Sequence, residues 1–167
     1  MPYLVAAVAL VGVLCLLNLL LLFGVIRRLR EQSSMLKPPS LTLPVGEAVG
    51  DFSAVTTTRG TVSTELLGDG TLVGFFSSTC QPCHEKLPDF VAFAETTAVR
   101  SLAVVATAPD EGADMISALE SVADVVVVES LGSPVARAFG VRGTPAFVTV
   151  ERGRVSATRL PAGQLRA

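Results

Sequence analysis

A continuous apolar run at residues 71–76, Thr-Leu-Val-Gly-Phe-Phe, leads directly into the sequence Ser-Ser-Thr-Cys-Gln-Pro-Cys. A run without alternating polar residues is typical of a strand that is buried on both faces. Beyond Cys83, apolar residues recur at helical spacing as far as about Thr97. The two cysteines of this CxxC motif are therefore predicted to lie where a buried strand passes into the first turn of a helix.

The chain continues to alternate between strand and helix patterns on both sides of this motif. Further strands are predicted at 101–107 and 125–129, helices at 113–121 and 133–140, and hairpins at 52–63 and 146–158. Such alternation predicts an α/β fold in which helices flank a central mixed sheet.

The N-terminal segment has a different composition. Between Leu4 and Ile26 no residue is charged, and Asn18 is the only polar side chain. This run is long enough to cross the ~30 Å hydrocarbon core as a helix. It lacks the preceding basic residues and the following cleavage site of a signal peptide, which favours an uncleaved single-pass anchor. The predicted organisation is an anchor at 1–27, a proline-containing linker at 28–45 and a folded domain at 46–167.

Overall charge excludes one class of partner. The net charge is −2 at pH 7, and the arginines are scattered without an accompanying aromatic stripe. Nucleic-acid binding is therefore not expected.

The position of the CxxC motif indicates redox chemistry. Unpaired backbone N–H groups at a helix N-terminus favour an anion, so the thiolate of Cys80 is stabilised and Cys80 is the expected nucleophile. Cys83, one turn further, can reach back and displace a mixed disulfide. This cycle needs no metal and no organic cofactor. The neighbouring residues that could modulate the two thiols are Thr79, Gln81, Pro82, His84, Glu85 and Lys86.

Two other uses of a CxxC motif are disfavoured. A structural zinc ion needs four ligands, and the remaining candidates are Cys15 in the predicted anchor and His84. A purely structural disulfide over so small a loop would remove little entropy from the unfolded chain.

A second motif lies far downstream, at Val141-Arg142-Gly143-Thr144-Pro145 before an apolar strand. With the CxxC motif, and with Pro88 five positions after Cys83, it resembles the thioredoxin superfamily. The resemblance covers residues 46–160 and implies a thioredoxin-like fold. It also implies that Pro145 is a cis-proline facing the cysteines and that Thr144 offers backbone hydrogen bonds to the substrate. By the same resemblance, Pro88 bends the helix that carries the cysteines.

Within the superfamily, the opening Val49–Phe52 and the apolar N-terminus resemble the membrane-anchored TlpA/ResA branch, and also MauD, an accessory protein of methylamine dehydrogenase. The branch implies an oxidoreductase that reduces disulfides of client proteins and receives electrons from a membrane protein. Two residues depart from it: Thr79 replaces a common tryptophan, and Lys86 replaces a glutamate near the cysteines. The departure at Lys86 puts the acid-base assistance of the branch in question.

Two alternatives stay open. The opening Val49–Phe52 also occurs in AhpC/TSA-like thiol peroxidases, although Val73 and Ser77 stand where those enzymes have proline and threonine. A MauD-like maturation factor dedicated to one client protein is the other alternative.

The side of the membrane is predicted differently by two arguments. Basic residues follow the predicted anchor and none precede it, so the positive-inside rule favours a cytoplasmic domain. The resemblance implies an extracytoplasmic domain, where disulfides persist. We expect a single-pass membrane protein whose domain is extracytoplasmic.

Overall fold

The computed structural model describes residues 10, 12–24, 40–58, 60–97 and 99–160. They fall in two units, one within residues 1–39 and the other within 40–167. In the first unit, residues 10 and 12–24 are helical. Among the described residues, no helix combines the length and apolarity needed to cross a bilayer. The remaining parts of the predicted anchor and linker, at 1–9, 11 and 25–39, lie outside the described residues.

The second unit contains strands and helices in the predicted order. The strands are β1 (Ser53–Thr56), β2 (Gly60–Ser63), β3 (Thr71–Ser77), β4 (Ser101–Ala106), β5 (Asp124–Val128), β6 (Ala146–Glu151) and β7 (Arg154–Ala157). The helices are α1 (Gln81–Thr97), α2 (Ala113–Glu120) and α3 (Pro134–Ala138), with one 3₁₀ turn at Thr64–Leu66.

Five of the strands form a mixed sheet in the order β5-β4-β3-β6-β7, while β1 and β2 form a separate hairpin. Strands β3, β4 and β5 are parallel. Strand β6 runs antiparallel to β3, and β7 antiparallel to β6. This arrangement confirms the predicted thioredoxin-like α/β fold with a central mixed sheet flanked by helices.

Strand β3 lies at the centre of the sheet and sends alternate side chains to opposite faces, as the period of a strand requires. Val73 and Phe75 enter a core completed by α3 and the hairpin, whereas Leu72 and Phe76 enter a core completed by α1 and α2. All four are buried. Burial of each such side chain contributes about 1.5–3 kcal/mol, so the apolar run that predicted β3 also stabilises both faces.

Residues 40–45, part of the predicted linker, lie against the folded domain. The amide of Leu43 donates to the carbonyl of Phe139 at 2.9 Å, and the amide of Arg142 donates to the carbonyl of Leu41 at 2.8 Å. Leu43 also packs against the core under α3. The prolines of this region predicted a spacer. The hydrogen-bonding partners of the region lie about 100 residues further along the chain, so a local sequence pattern could not predict these contacts.

Candidate active site

The CxxC motif lies where β3 ends and α1 begins. Cys80 directly precedes the first residue of α1, and its carbonyl accepts hydrogen bonds from the amides of Cys83 at 3.0 Å and His84 at 3.4 Å. Both cysteines are free thiols. Cys80 is partly exposed, whereas Cys83 is fully buried. A disulfide substrate can therefore approach the sulfur of Cys80 first.

The downstream Thr-Pro motif meets the cysteines in space. The thiol of Cys80 donates to the carbonyl oxygen of Thr144, with 3.5 Å between sulfur and oxygen, across 64 positions of sequence. The peptide bond between Thr144 and Pro145 is cis, as the resemblance predicted. Both residues are partly exposed. The loop before β6 therefore forms one wall of the site next to the more accessible sulfur.

Cys83 belongs to the core between the sheet and α1, together with Phe76 and Phe90. Burial is the main cause that raises the pKa of the Cys83 thiol to about 11, and its hydrogen bond with Cys80 raises it further. Hydrogen bonds involving Thr144 and the backbone of Ser77 act in the opposite direction but are smaller effects. Cys83 is therefore a protonated thiol at neutral pH, held next to Cys80 and away from solvent.

The residues proposed as modulators of the thiols are all exposed on the surface of this junction. The ring Nε2 of His84 donates to the carbonyl of Ser78 at 2.9 Å. Lys86 forms an ion pair with Asp89 at 2.8 Å, and this partner raises the pKa of Lys86. These contacts direct the side chains of His84 and Lys86 to Ser78 and Asp89 instead of a sulfur. The hydroxyl of Thr79 lies 3.3 Å from that of Ser77, while Gln81, Pro82 and Glu85 face solvent.

Pro88 lies inside α1, as predicted. Because proline has no amide hydrogen, it cannot donate to the carbonyl of His84, four residues earlier. The first turn after the cysteines therefore has one hydrogen bond fewer to the rest of α1 than it would have in a regular α-helix.

Two features of the site were not predicted from the sequence. Gly74 in β3 has no room for a side chain, because an added Cβ would lie 2.7 Å from Phe90 and 2.8 Å from Phe76. Leu41 packs on Gly143, the residue before Thr144. A glycine inside an apolar strand is a known signal of close approach and could have identified the first feature.

Within the part of the chain that the structure describes, no three or more His, Cys, Asp and Glu residues gather closely enough to hold a metal ion.

Comparison with known proteins identifies the fold. No protein-family model and no curated protein sequence matches the chain. Solved structures do match it. One is the thioredoxin domain of a thiol-disulfide oxidoreductase from Bacteroides vulgatus, with a TM-score of 0.56 and 18% identity over 71% of this chain and 89% of that chain.

Two further solved structures are similar. A protein assigned as the thiol:disulfide interchange protein DsbE from Chlorobium tepidum has a TM-score of 0.52 and 25% identity, and the match covers 71% of this chain and 86% of that chain. The exposed lipoprotein thioredoxin of Streptococcus pneumoniae has a TM-score of 0.50 and 21% identity, and the match covers 66% and 88%. These names agree with the expected thiol-disulfide oxidoreductase. The chain shares with these solved structures a thioredoxin-like fold.

Proposed function

We propose that this protein is a membrane-anchored thiol-disulfide oxidoreductase that reduces disulfides of client proteins through Cys80 and Cys83. One observation carries the proposal: the accessible sulfur of Cys80 lies 3.5 Å from the carbonyl of Thr144, at the start of α1. Cys83 lies one turn further along, buried in the adjoining core.

The reaction transfers two electrons to the client. The thiolate of Cys80 attacks one sulfur of the client disulfide, forming a mixed disulfide and releasing a client thiolate, which takes up a proton. Cys83 then loses its proton and attacks the sulfur of Cys80, and the second client sulfur leaves as a thiol. The products are a Cys80–Cys83 disulfide and a client dithiol. Burial of Cys83 favours this order, because the client reaches Cys80 first.

Thr144 and Pro145 have the proposed role of positioning the substrate. Their loop is partly exposed and lies beside the sulfur of Cys80. A client segment that bound along the backbone of Thr144 would present its disulfide to that sulfur. Hydrogen bonds to a fixed backbone would orient the attack without contributing a reactive group.

Electrons for the next cycle would come from a membrane protein, because the proposed location is extracytoplasmic. The uncharged run between Leu4 and Ile26 supports an anchor. The similarity to an exposed lipoprotein thioredoxin supports outward placement of the domain. A membrane-impermeant maleimide applied to intact cells tests the outward placement. Labelling of Cys80 in intact cells is expected, whereas labelling that requires lysis would support the opposite orientation, which the basic residues after the run favour.

The activity itself is tested with the reduced, full-length protein and a peptide disulfide, with release of thiols as the readout. Cys80→Ser should abolish turnover, Cys83→Ser should stop at a mixed disulfide, and Cys15→Ser should react like the wild type. Full activity of Cys80→Ser would contradict the proposal. A reduction potential near the −120 mV of strongly oxidising DsbA, on the order of 100 mV above thioredoxin, would contradict the reducing direction.

A further inference from the structure

The segment at 40–43 runs along the loop that leads to the cis-proline. Two main-chain hydrogen bonds join them, from Leu43 to Phe139 at 2.9 Å and from Arg142 to Leu41 at 2.8 Å. The segment is thereby held at both ends against the backbone of this loop. It forms part of the wall that carries Thr144.

Two leucines of the segment lie over two glycines of the loop. A Cβ at Gly140 would lie 2.7 Å from Leu43, and a Cβ at Gly143 would lie 3.2 Å from Leu41. The two leucines differ in burial: Leu43 packs against the core, whereas the side chain of Leu41 remains 39% exposed. Leu43 therefore anchors the segment, and Leu41 extends an apolar surface beside the loop.

Leu41 lies one residue away from the backbone group that faces the reacting sulfur. Gly143, on which Leu41 packs, directly precedes Thr144, and the carbonyl of Thr144 lies 3.5 Å from the sulfur of Cys80. Consecutive Cα atoms are about 3.8 Å apart, so a client whose cysteine meets Cys80 and whose backbone runs along Thr144 has its next residue beside Gly143. Such a client would bring the residue that flanks its cysteine towards Leu41.

We propose that Leu41 is a specificity-determining residue that contacts the client and selects disulfides whose cysteine is flanked by an aliphatic side chain. The inference rests on the proposed function and goes beyond it by assigning a substrate class. Burying an aliphatic side chain against Leu41 removes apolar surface of both groups from water, whereas a polar side chain at that position gains nothing there. The bond-forming and bond-breaking steps remain those already described.

The experiment uses full-length reduced protein in detergent and three disulfides, in single-turnover reactions for which KM denotes the half-saturating substrate concentration and kcat the limiting rate constant. Two are peptide disulfides that differ only by leucine or serine next to the reactive cysteine, and the third is the small disulfide 5,5′-dithiobis(2-nitrobenzoate). Wild-type protein should show a KM about tenfold lower for the leucine peptide than for the serine peptide. Leu41→Ser should erase this preference by raising the KM for the leucine peptide, with kcat and the small-disulfide rate unchanged. Leu41→Met should keep the preference.

A matched control is Leu66, which is 50% exposed. The side chain of Arg100 donates a hydrogen bond to the carbonyl of Leu66, and the amide of Leu72 donates to the carbonyl of Arg100. Leu72 lies at the start of β3, so Leu66 is near the end of this strand that is opposite to Cys80. Leu66→Ser should therefore leave the peptide preference as it is in the wild type.

Three outcomes would overturn the inference. Equal KM values of the wild type for both peptides would show that no selection exists. A parallel loss of the small-disulfide rate in Leu41→Ser would show that Leu41 supports the loop without contacting the client. A wild type that reduces none of the three disulfides would overturn the proposed function, and this inference with it.

Discussion

On one face of the five-stranded sheet, Phe75 of β3 packs against Phe139, with ring centroids 5.3 Å apart. On the other face, Phe76 packs edge-on against Phe90 of α1, also at 5.3 Å. Both cores are built from the same kinds of buried aliphatic and aromatic side chains, but the core under α1 also contains Cys83. There the packing that stabilises the fold is also what removes the thiol from water and raises its pKa. On this face stability and the pKa of a reacting thiol are therefore coupled, whereas neither cysteine of the motif belongs to the core under α3.

Truncation of one ring on each face would test this coupling most strongly. Phe90→Ala and Phe139→Ala should each lower the free energy of unfolding by about 3–5 kcal/mol, because both rings are fully buried. In addition, Phe90→Ala should lower the pKa of Cys83 by admitting water, whereas Phe139→Ala should not. Denaturant unfolding and spectroscopic titration of the thiol would measure the two effects. Equal pKa changes in both variants would contradict the coupling.

The buried thiol itself provides the next largest effect. The pKa of Cys83 is raised from 9.0 to about 11. Well below pH 9, the fraction of Cys83 that is thiolate is therefore about one hundredth of the fraction in the unfolded chain. A Cys15→Ser, Cys80→Ala background removes the effect of Cys80 on this pKa and keeps the larger effect of burial. In this background, alkylation of Cys83 at pH 8 should be at least about tenfold slower than in the same chain unfolded in urea. The native rate should continue to increase above pH 9, because thiolate is the reactive form. Equal native and unfolded rates would show that Cys83 is not in a dry core.

Overpacking should disturb the face under α1 at Gly74. The Cβ of an alanine would lie 2.7 Å from Phe90, closer than the two groups can remain, so we expect Gly74→Ala to destabilise the protein by about 1–3 kcal/mol. Gly132→Ala is the matched control, since its Cβ would meet Ser130 at an ordinary 3.4 Å. Thermal unfolding of both variants would test the expectation, and a destabilisation no larger at Gly74 than at Gly132 would count against the close packing described for β3.

The smallest effect is expected outside the core, at the ion pair on the exposed side of α1. Lys86 and Asp89 are both exposed, so water screens the pair and its contribution to stability is small. Lys86→Met should therefore leave the midpoint of denaturant unfolding unchanged within the error of the measurement, and should change the rate of disulfide exchange by less than about threefold. A tenfold slower exchange would instead assign the cation a role at the sulfurs.

Much of the fold was predictable because local patterns encode it. The apolar run at 71–76 and the helical spacing after Cys83 depend on residues close in sequence, and each corresponds to an element of the structure. The helix predicted at 133–140 likewise begins where expected, and the side chain of Ser133 accepts a hydrogen bond from the amide of Ala136. The cis peptide bond at Pro145 was predictable only by resemblance, since nothing in the local pattern distinguishes it from an ordinary trans bond.

Other features could not be predicted in this way. Residues 40–45 were expected to be a spacer, yet Leu41 and Leu43 bond to a loop about 100 positions away. The hydrogen bond of His84 to Ser78 and the pairing of Lys86 with Asp89 also depend on side-chain directions that spacing alone leaves undetermined.

Local sequence patterns were enough to predict the order of the elements and the position of Cys80 and Cys83 at a strand-to-helix junction, because hydrophobic periodicity and helix-start chemistry act over a few residues. Such patterns do not encode which sulfur is buried, which carbonyl faces Cys80 or which leucine borders the site. Those outcomes depend on contacts between segments far apart in the chain, such as the 64 positions that separate Cys80 from Thr144. They arise only when the sheet assembles and its two faces are covered.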